Sequence, residues 1–170
     1  MINSKKIMLI FGLVSGGLSI ILHYIQYYFN FQVSVIERII FVILPIFVTI
    51  FCIFLGIYYS KKREFSQMLK IGLGISLIGA IAMATYYVLF LKYGASPEYF
   101  QDSMETQLTQ IKTQQPEISE AELYQIKTQI EESQSILTQF NMTLIKNIFF
   151  GFFISLGSSA ILKIIQKNKL

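Results

Sequence analysis

The residues of this chain whose types could do chemistry are few and scattered. His23 is the only histidine, and the nearest charged groups after it are Glu37 and Arg38. A lipid-acting site at one membrane face would need such a polar trio, but nothing in the spacing brings the three together. A metal ion needs three or four ligands, and no second histidine or acid cluster accompanies His23 in its apolar stretch. His23 therefore reads as an interfacial, hydrogen-bonded side chain, with a pH-sensing role left open. Cys52 is the single cysteine and lies inside an apolar block, so it excludes an internal disulfide and reads as a small buried side chain. Gly72-Leu73-Gly74 resembles part of a phosphate loop, yet no strand precedes it and it sits within a long apolar run. The chain has no G-x-S-x-G elbow and no H-E-x-x-H motif. These absences lead to the expectation of a non-enzymatic protein with no cofactor and no metal.

The acids are the other candidates for chemistry, because eight of them crowd into one segment: Glu98, Asp102, Glu105, Glu117, Glu120, Glu122, Glu131 and Glu132. At helical spacing among glutamines and threonines they read as a solvated helix face rather than a paired-carboxylate site. The elements that carry them matter more than any pair of them.

Those elements follow from composition. Of 170 residues 54% are hydrophobic and 14% charged, with a mean hydropathy of +0.56, against about 45–50% and about 25% in an ordinary soluble domain. The excess forms four apolar blocks, at 7–29, 39–59, 69–91 and 143–165. Each is near the ~20 residues needed to cross a bilayer core. The first is too long for a signal-peptide core and ends in Tyr24-Ile25-Gln26-Tyr27-Tyr28-Phe29 without a cleavage site, so it reads as an uncleaved helix. The second carries Pro45 near its middle, where a missing N–H should kink the helix. Gly94 suits the position just past the third helix, and Ser96-Pro97 a helix restart.

Charge sets the orientation. Lys5, Lys6, Lys61, Lys62, Arg63, Lys70, Lys163, Lys167 and Lys169 flank the start, the second link and the tail, whereas segment 97–141 holds Lys112 and Lys127 against the eight acids. Positive-inside asymmetry then places both termini in the cytoplasm and the acidic segment outside. The formal net charge of +4 is a topology signal, not a nucleic-acid footprint. Lys92 and Lys146 fall at outer helix ends, where long basic side chains snorkel.

The expected fold is all-α: an integral membrane four-helix bundle with an extracytoplasmic helical hairpin at about 97–141. Phe100, Met104, Leu108 and Ile111 make one apolar stripe of that hairpin, and Pro116 ends the helix. Ser119 and Glu122 have capping-box spacing, with Ile118 and Leu123 placed as a hydrophobic staple. From there Leu123, Ile126, Ile130, Ser133, Leu137, Phe140 and Leu144 alternate in steps of three and four. A continuous rod over 119–165 would be about 70 Å long and would carry an interaction stripe from water into lipid.

Small residues recur at every fourth position: Gly12 and Gly16; Gly72, Ser76, Ala80 and Ala84; Gly151, Ser155 and Ser159. Such stripes let helix backbones approach closely in lipid. They fit either packing inside one bundle or a homodimer seam, and packing is the simpler reading.

Three pieces stand in order along the chain: the link Tyr59-Ser60-Lys61-Lys62-Arg63-Glu64-Phe65-Ser66-Gln67-Met68-Leu69-Lys70-Ile71-Gly72, the Ser96-Pro97-Glu98-Tyr99 start of the acidic segment, and the small-residue closing helix from Gly151 to Lys167. In these the chain resembles the domain-of-unknown-function family 4199 of small bacterial inner-membrane proteins. The resemblance implies four helices and an outer helical loop, and it brings no activity and no functional residue.

The expected partners are the lipid bilayer and, through the acidic hairpin, a second copy or another membrane or periplasmic protein. No acid or base lies in the middle of any apolar block, which weighs against a coupled carrier. A carrier or channel would place its path near Pro45, Thr49, Ser76 and Thr85.

Overall fold

The computed structural model describes residues 3–28, 35–62, 64–94, 97–133 and 135–167, with the side chains of 35–39, 41–42, 97–103 and 133 outside that description. Among the described residues the chain forms six α-helices and one π-helical turn: α1 (Ser4–Tyr28), α2 (Val35–Tyr59), α3 (Phe65–Leu89) with the turn Phe90–Gly94, α4 (Pro97–Gln114), α5 (Glu120–Ser133) and α6 (Ile136–Lys167). Three helical stretches, Ser4–Tyr28, Phe65–Gly94 and Ile136–Lys167, are long and apolar enough to cross a membrane, and α2 contributes the shorter apolar run Ile43–Tyr59. The expected four-helix count is thus not matched.

The helix ends have local causes. The side chain of Asn3 accepts the Lys5 N–H at 3.1 Å and caps α1. At the end of α2, Ser60 Oγ donates to the Ile57 carbonyl at 2.6 Å, and Lys61 turns the chain with a positive φ of 55°. That left-handed position is one a glycine ordinarily fills. Gly94 behaves otherwise than expected: no glycine has positive φ among the described residues, and α3 runs on into the wider π turn Phe90–Gly94.

Two compact units emerge, Met1–Ala84 with Thr143–Leu170, and Thr85–Met142. In the first, Ile7 of α1, Ile53 and Ile57 of α2, Met68, Ile71 and Ile75 of α3, and Leu162 of α6 form one apolar cluster. The rest of this unit inverts the soluble pattern. Ser15, Ser76, Ser155, Ser158 and Ser159 are buried, while Leu13, Phe47, Phe51, Ile145, Phe149 and Ile164 are exposed. Helix α2 continues through Pro45, and the Thr49 hydroxyl donates back to the Pro45 carbonyl at 2.9 Å.

In the second unit α4 and α5 lie against each other. Met104, Leu108 and Ile111 are half-buried on α4, as are Leu123 and Ile126 on α5, where Ile130 is buried; the acids on α5 are exposed. The capping box forms: Ser119 N and Oγ both donate to Glu122 Oε2, at 3.1 and 2.7 Å, and Glu122 N donates to Ser119 Oγ at 3.3 Å.

The expected continuous rod from 119 to 165 is corrected. Helix α5 stops at Ser133 and α6 begins at Ile136, with Ser135 Oγ accepting the Thr138 N–H at 3.2 Å as a fresh N-cap. A serine competes with the helix ladder by bonding nearby backbone, and Ser135 does so at the break. The stripe splits accordingly: Ile130 is 8% exposed and Leu137 is 70% exposed.

Candidate functional site

The densest constellation of sequence-predicted positions is the interior of the first unit. On α1, a Cβ built on Gly12 would lie 2.7 Å from Ile78 Cβ and 3.0 Å from the Ile75 carbonyl of α3, and one on Gly16 would lie 2.9 Å from Ala82 Cβ. Gly79 on α3 completes this crossing, its built Cβ 3.3 Å from the Gly12 carbonyl. At the α3–α6 crossing, a Cβ on Gly72 would lie 2.6 Å from Ser155 Oγ of α6 and 3.2 Å from Ile53 of α2, and one on Gly151 would overlap the Ser76 side chain. Ala80 and Ala84 are buried as well. The α1–α3 pair meets backbone to backbone, and in the α3–α6 pair each glycine receives a serine side chain, so both crossings are close.

Polar groups thread the α3–α6 crossing. Ser76 Oγ donates to the Asn147 carbonyl at 3.2 Å, Asn147 Nδ2 donates to the Thr143 carbonyl at 2.7 Å, and Ser155 Oγ donates to the Gly151 carbonyl at 2.6 Å. Ser159 Oγ is buried with no hydrogen-bond partner among the described residues. Across α1 and α2, Ser15 Oγ approaches Thr49 Oγ1 at 3.4 Å. Of the positions named for a carrier path, Thr49 meets Ser15 and Ser76 meets Asn147, and Thr85 is exposed.

His23 is half-buried and engaged by its surroundings, and nearby Tyr24 and Tyr28 stack at 6.2 Å between centroids. The side chains of Glu37 and Arg38 lie outside the described residues, as does Ser96. Lys92 and Lys146 are exposed. No group of three or more His, Cys, Asp or Glu gathers among the described residues in a way that could hold a metal.

In the second unit, the turn from α4 to α5 borders an open depression lined by glutamines and by Glu117 and Glu122. The Ser119 hydroxyl, then the Ser119 backbone N–H, hold the Glu122 carboxyl below its ordinary pKa by stabilising the anion. The predicted interaction stripe is divided: Leu123 and Ile126 are half-buried, Ile130 is buried and Phe140 is half-buried, leaving Leu137 outward with Tyr124 and Met142.

Reading one stripe per helix missed Gly79, Ser15, Asn147 and Gln166. Helix α3 meets α1, α2 and α6 on different sides, so it needs small residues on more than one face. The pair Ser15 and Ser19 beside Gly12 and Gly16 was the available signal.

What this geometry defines is an all-helical protein whose long apolar helices show large hydrophobic side chains outward and bury serine and glycine between them. The family model described as "Protein of unknown function (DUF4199)" matches residues 10–163, and the chain belongs to that family. No curated protein and no solved structure matches it.

Proposed function

We propose that the chain is a non-enzymatic integral protein of a bacterial inner membrane. It crosses the bilayer four times as a helical bundle, at about 7–29, 39–59, 69–91 and 143–165, with both termini in the cytoplasm. Its acidic segment, about 97–141, is an extracytoplasmic helical hairpin that contacts a second copy or another membrane or periplasmic protein. The observation that carries this reading is the inversion of side-chain placement. Phe47, Phe51 and Ile145 are 63%, 65% and 64% exposed, while Ser155 and Ser159 are 0% exposed. Water would penalise that arrangement, whereas lipid favours it because packing and hydrogen bonds, not apolar burial, hold helices together there. Support for the sidedness is the distribution of lysine and arginine. Support for an interaction role is the outward Tyr124, Leu137 and Met142 beside exposed acids.

Protease added to intact spheroplasts is expected to cut within 97–141 and to spare the tail, while alkaline carbonate leaves the chain in the membrane. Cutting of the tail from outside overturns the orientation, and release by carbonate overturns the membrane placement. Disulfide crosslinking of a Leu137→Cys variant in membranes tests self-association, and absence of an inter-chain product there and at Tyr124→Cys leaves a heterologous partner.

A further inference from the structure

We propose that the α2–α3 turn and the last turns of α6 form a binding site for the phosphate headgroup of an anionic glycerophospholipid. The site deepens the membrane reading above and rests on it. Its frame is built rather than incidental. Buried Ser60 donates through Oγ to the Ile57 carbonyl at 2.6 Å and accepts the Lys62 N–H at 3.3 Å. Lys61 holds the left-handed conformation, φ 55°, which costs a non-glycine residue free energy and is retained only where its surroundings impose it. From α6, Gln166 Nε2 donates to the Lys62 carbonyl at 3.3 Å, and Lys163 Nζ stands 5.9 Å from the Phe65 ring centroid. These contacts hold the turn, with Lys61 and Lys62, against the last turns of α6, which carry Lys163 and Lys167.

No acid among the described residues neutralises them. Glu64 is the one carboxylate of the turn, and it accepts Gln67 Nε2 at 2.6 Å; the ion pair found among the described residues is Lys127–Glu131, in the other unit. Uncompensated cations at a fixed turn call for an anion. The adjoining surface says which kind. Tyr58 and Tyr59 on α2 and Ile161, Ile164 and Ile165 on α6 are exposed immediately beside these lysines. An anionic glycerophospholipid carries its phosphate at the level of these lysines and lays its chains along the apolar side chains beside them, so one molecule meets both features.

The experiment is native mass spectrometry of the purified full-length protein in mild detergent, titrated with phosphatidylglycerol, with phosphatidylcholine, and with inorganic phosphate. The wild type is expected to retain phosphatidylglycerol preferentially. K62Q/K163Q should weaken that binding about tenfold and leave phosphatidylcholine unchanged, K62R/K163R should retain it, and K112Q/K127Q should not alter it. Equal retention of the two lipids overturns the proposal, as does an equal loss in K112Q/K127Q. Inorganic phosphate binding that depends on Lys62 and Lys163 would reassign the site to a soluble anion and also overturn it. Carbonate extraction of the same proteins reports the membrane reading separately: a chain that stays in the membrane without lipid preference sinks the site alone.

Discussion

Ser76 Oγ on α3 donates to the main-chain carbonyl of Asn147 on α6, 3.2 Å away and 71 residues along the chain. A hydroxyl can reach a helix backbone across a crossing only where that backbone is bare, and Gly151, one turn on from Asn147, makes it so: its built Cβ falls onto the Ser76 side chain. The hydrogen bond itself is a minor contributor, so Ser76→Ala should cost about 0.6 kcal/mol. Gly151→Ala should cost more, about 1–3 kcal/mol, because it overfills the crossing. The double variant G151A/S76G should recover most of that loss, read as thermal unfolding in detergent. Additive losses would mean the two residues do not meet.

The glycines of α1 supply an internal control. Gly12 and Gly16 face α3, while a Cβ on Gly17 meets nothing within 4 Å. Gly12→Leu and Gly16→Leu should each destabilise by about 1–3 kcal/mol, and Gly17→Leu should be close to neutral in the same unfolding assay. If Gly17→Leu were the damaging one, the face of α1 turned toward α3 would be wrongly assigned.

The contrast between these glycines shows what sequence alone carries here. Hydropathy delimits long apolar helices because an apolar backbone in lipid must close its own hydrogen bonds, and helix is the form that does so locally. The four-residue spacing picks out Gly12, Gly16, Gly72 and Gly151 as small, but it does not say which helix each one meets. That choice depends on non-local contacts such as Gly79 against the Gly12 carbonyl. The break at Ser135 was hidden for a related reason. The a/d spacing runs across it with Ser133 as its polar member, and a helix interior tolerates serine, so only the cap formed with Thr138 distinguishes a new start from a continuation. The latch from Gln166 to the Lys62 carbonyl had no signal at all, since it joins a side chain to a backbone atom 104 residues away.

The start of α5 should respond to pH. Hydrogen bonds from Ser119 hold the Glu122 carboxyl below its ordinary value of 4.5. A lowered folded-state pKa means the contribution is fully present above the unfolded value and is lost as pH falls through the folded one. Protection of the first amides of α5, followed by hydrogen exchange corrected for intrinsic rates, should therefore hold from neutral pH down to the ordinary value and fall below 4.5. Ser119→Ala should remove the pH dependence and cost about 1 kcal/mol of local helix stability. An unchanged profile in Ser119→Ala would assign the effect to another acid of the segment.

Ser159 is the one fully buried side chain whose polar atom lacks a partner among the described residues. Its neighbour a turn away, Ser155, is equally buried yet returns its proton to the Gly151 carbonyl at 2.6 Å, which satisfies it at little cost to the helix. An unpaired hydroxyl in an apolar surround is unfavourable by about 1–3 kcal/mol. Removing it while keeping its Cβ should relieve that penalty without opening a large cavity. Ser159→Ala is thus expected to leave the protein as stable or up to about 1 kcal/mol more stable, whereas Ser155→Ala should lose about 0.6 kcal/mol. Thermal unfolding of the two variants in the same detergent decides it. Destabilisation by Ser159→Ala beyond that of Ser155→Ala would show that the Ser159 hydroxyl is engaged in the membrane, and that α6 carries a second polar contact on the face it buries.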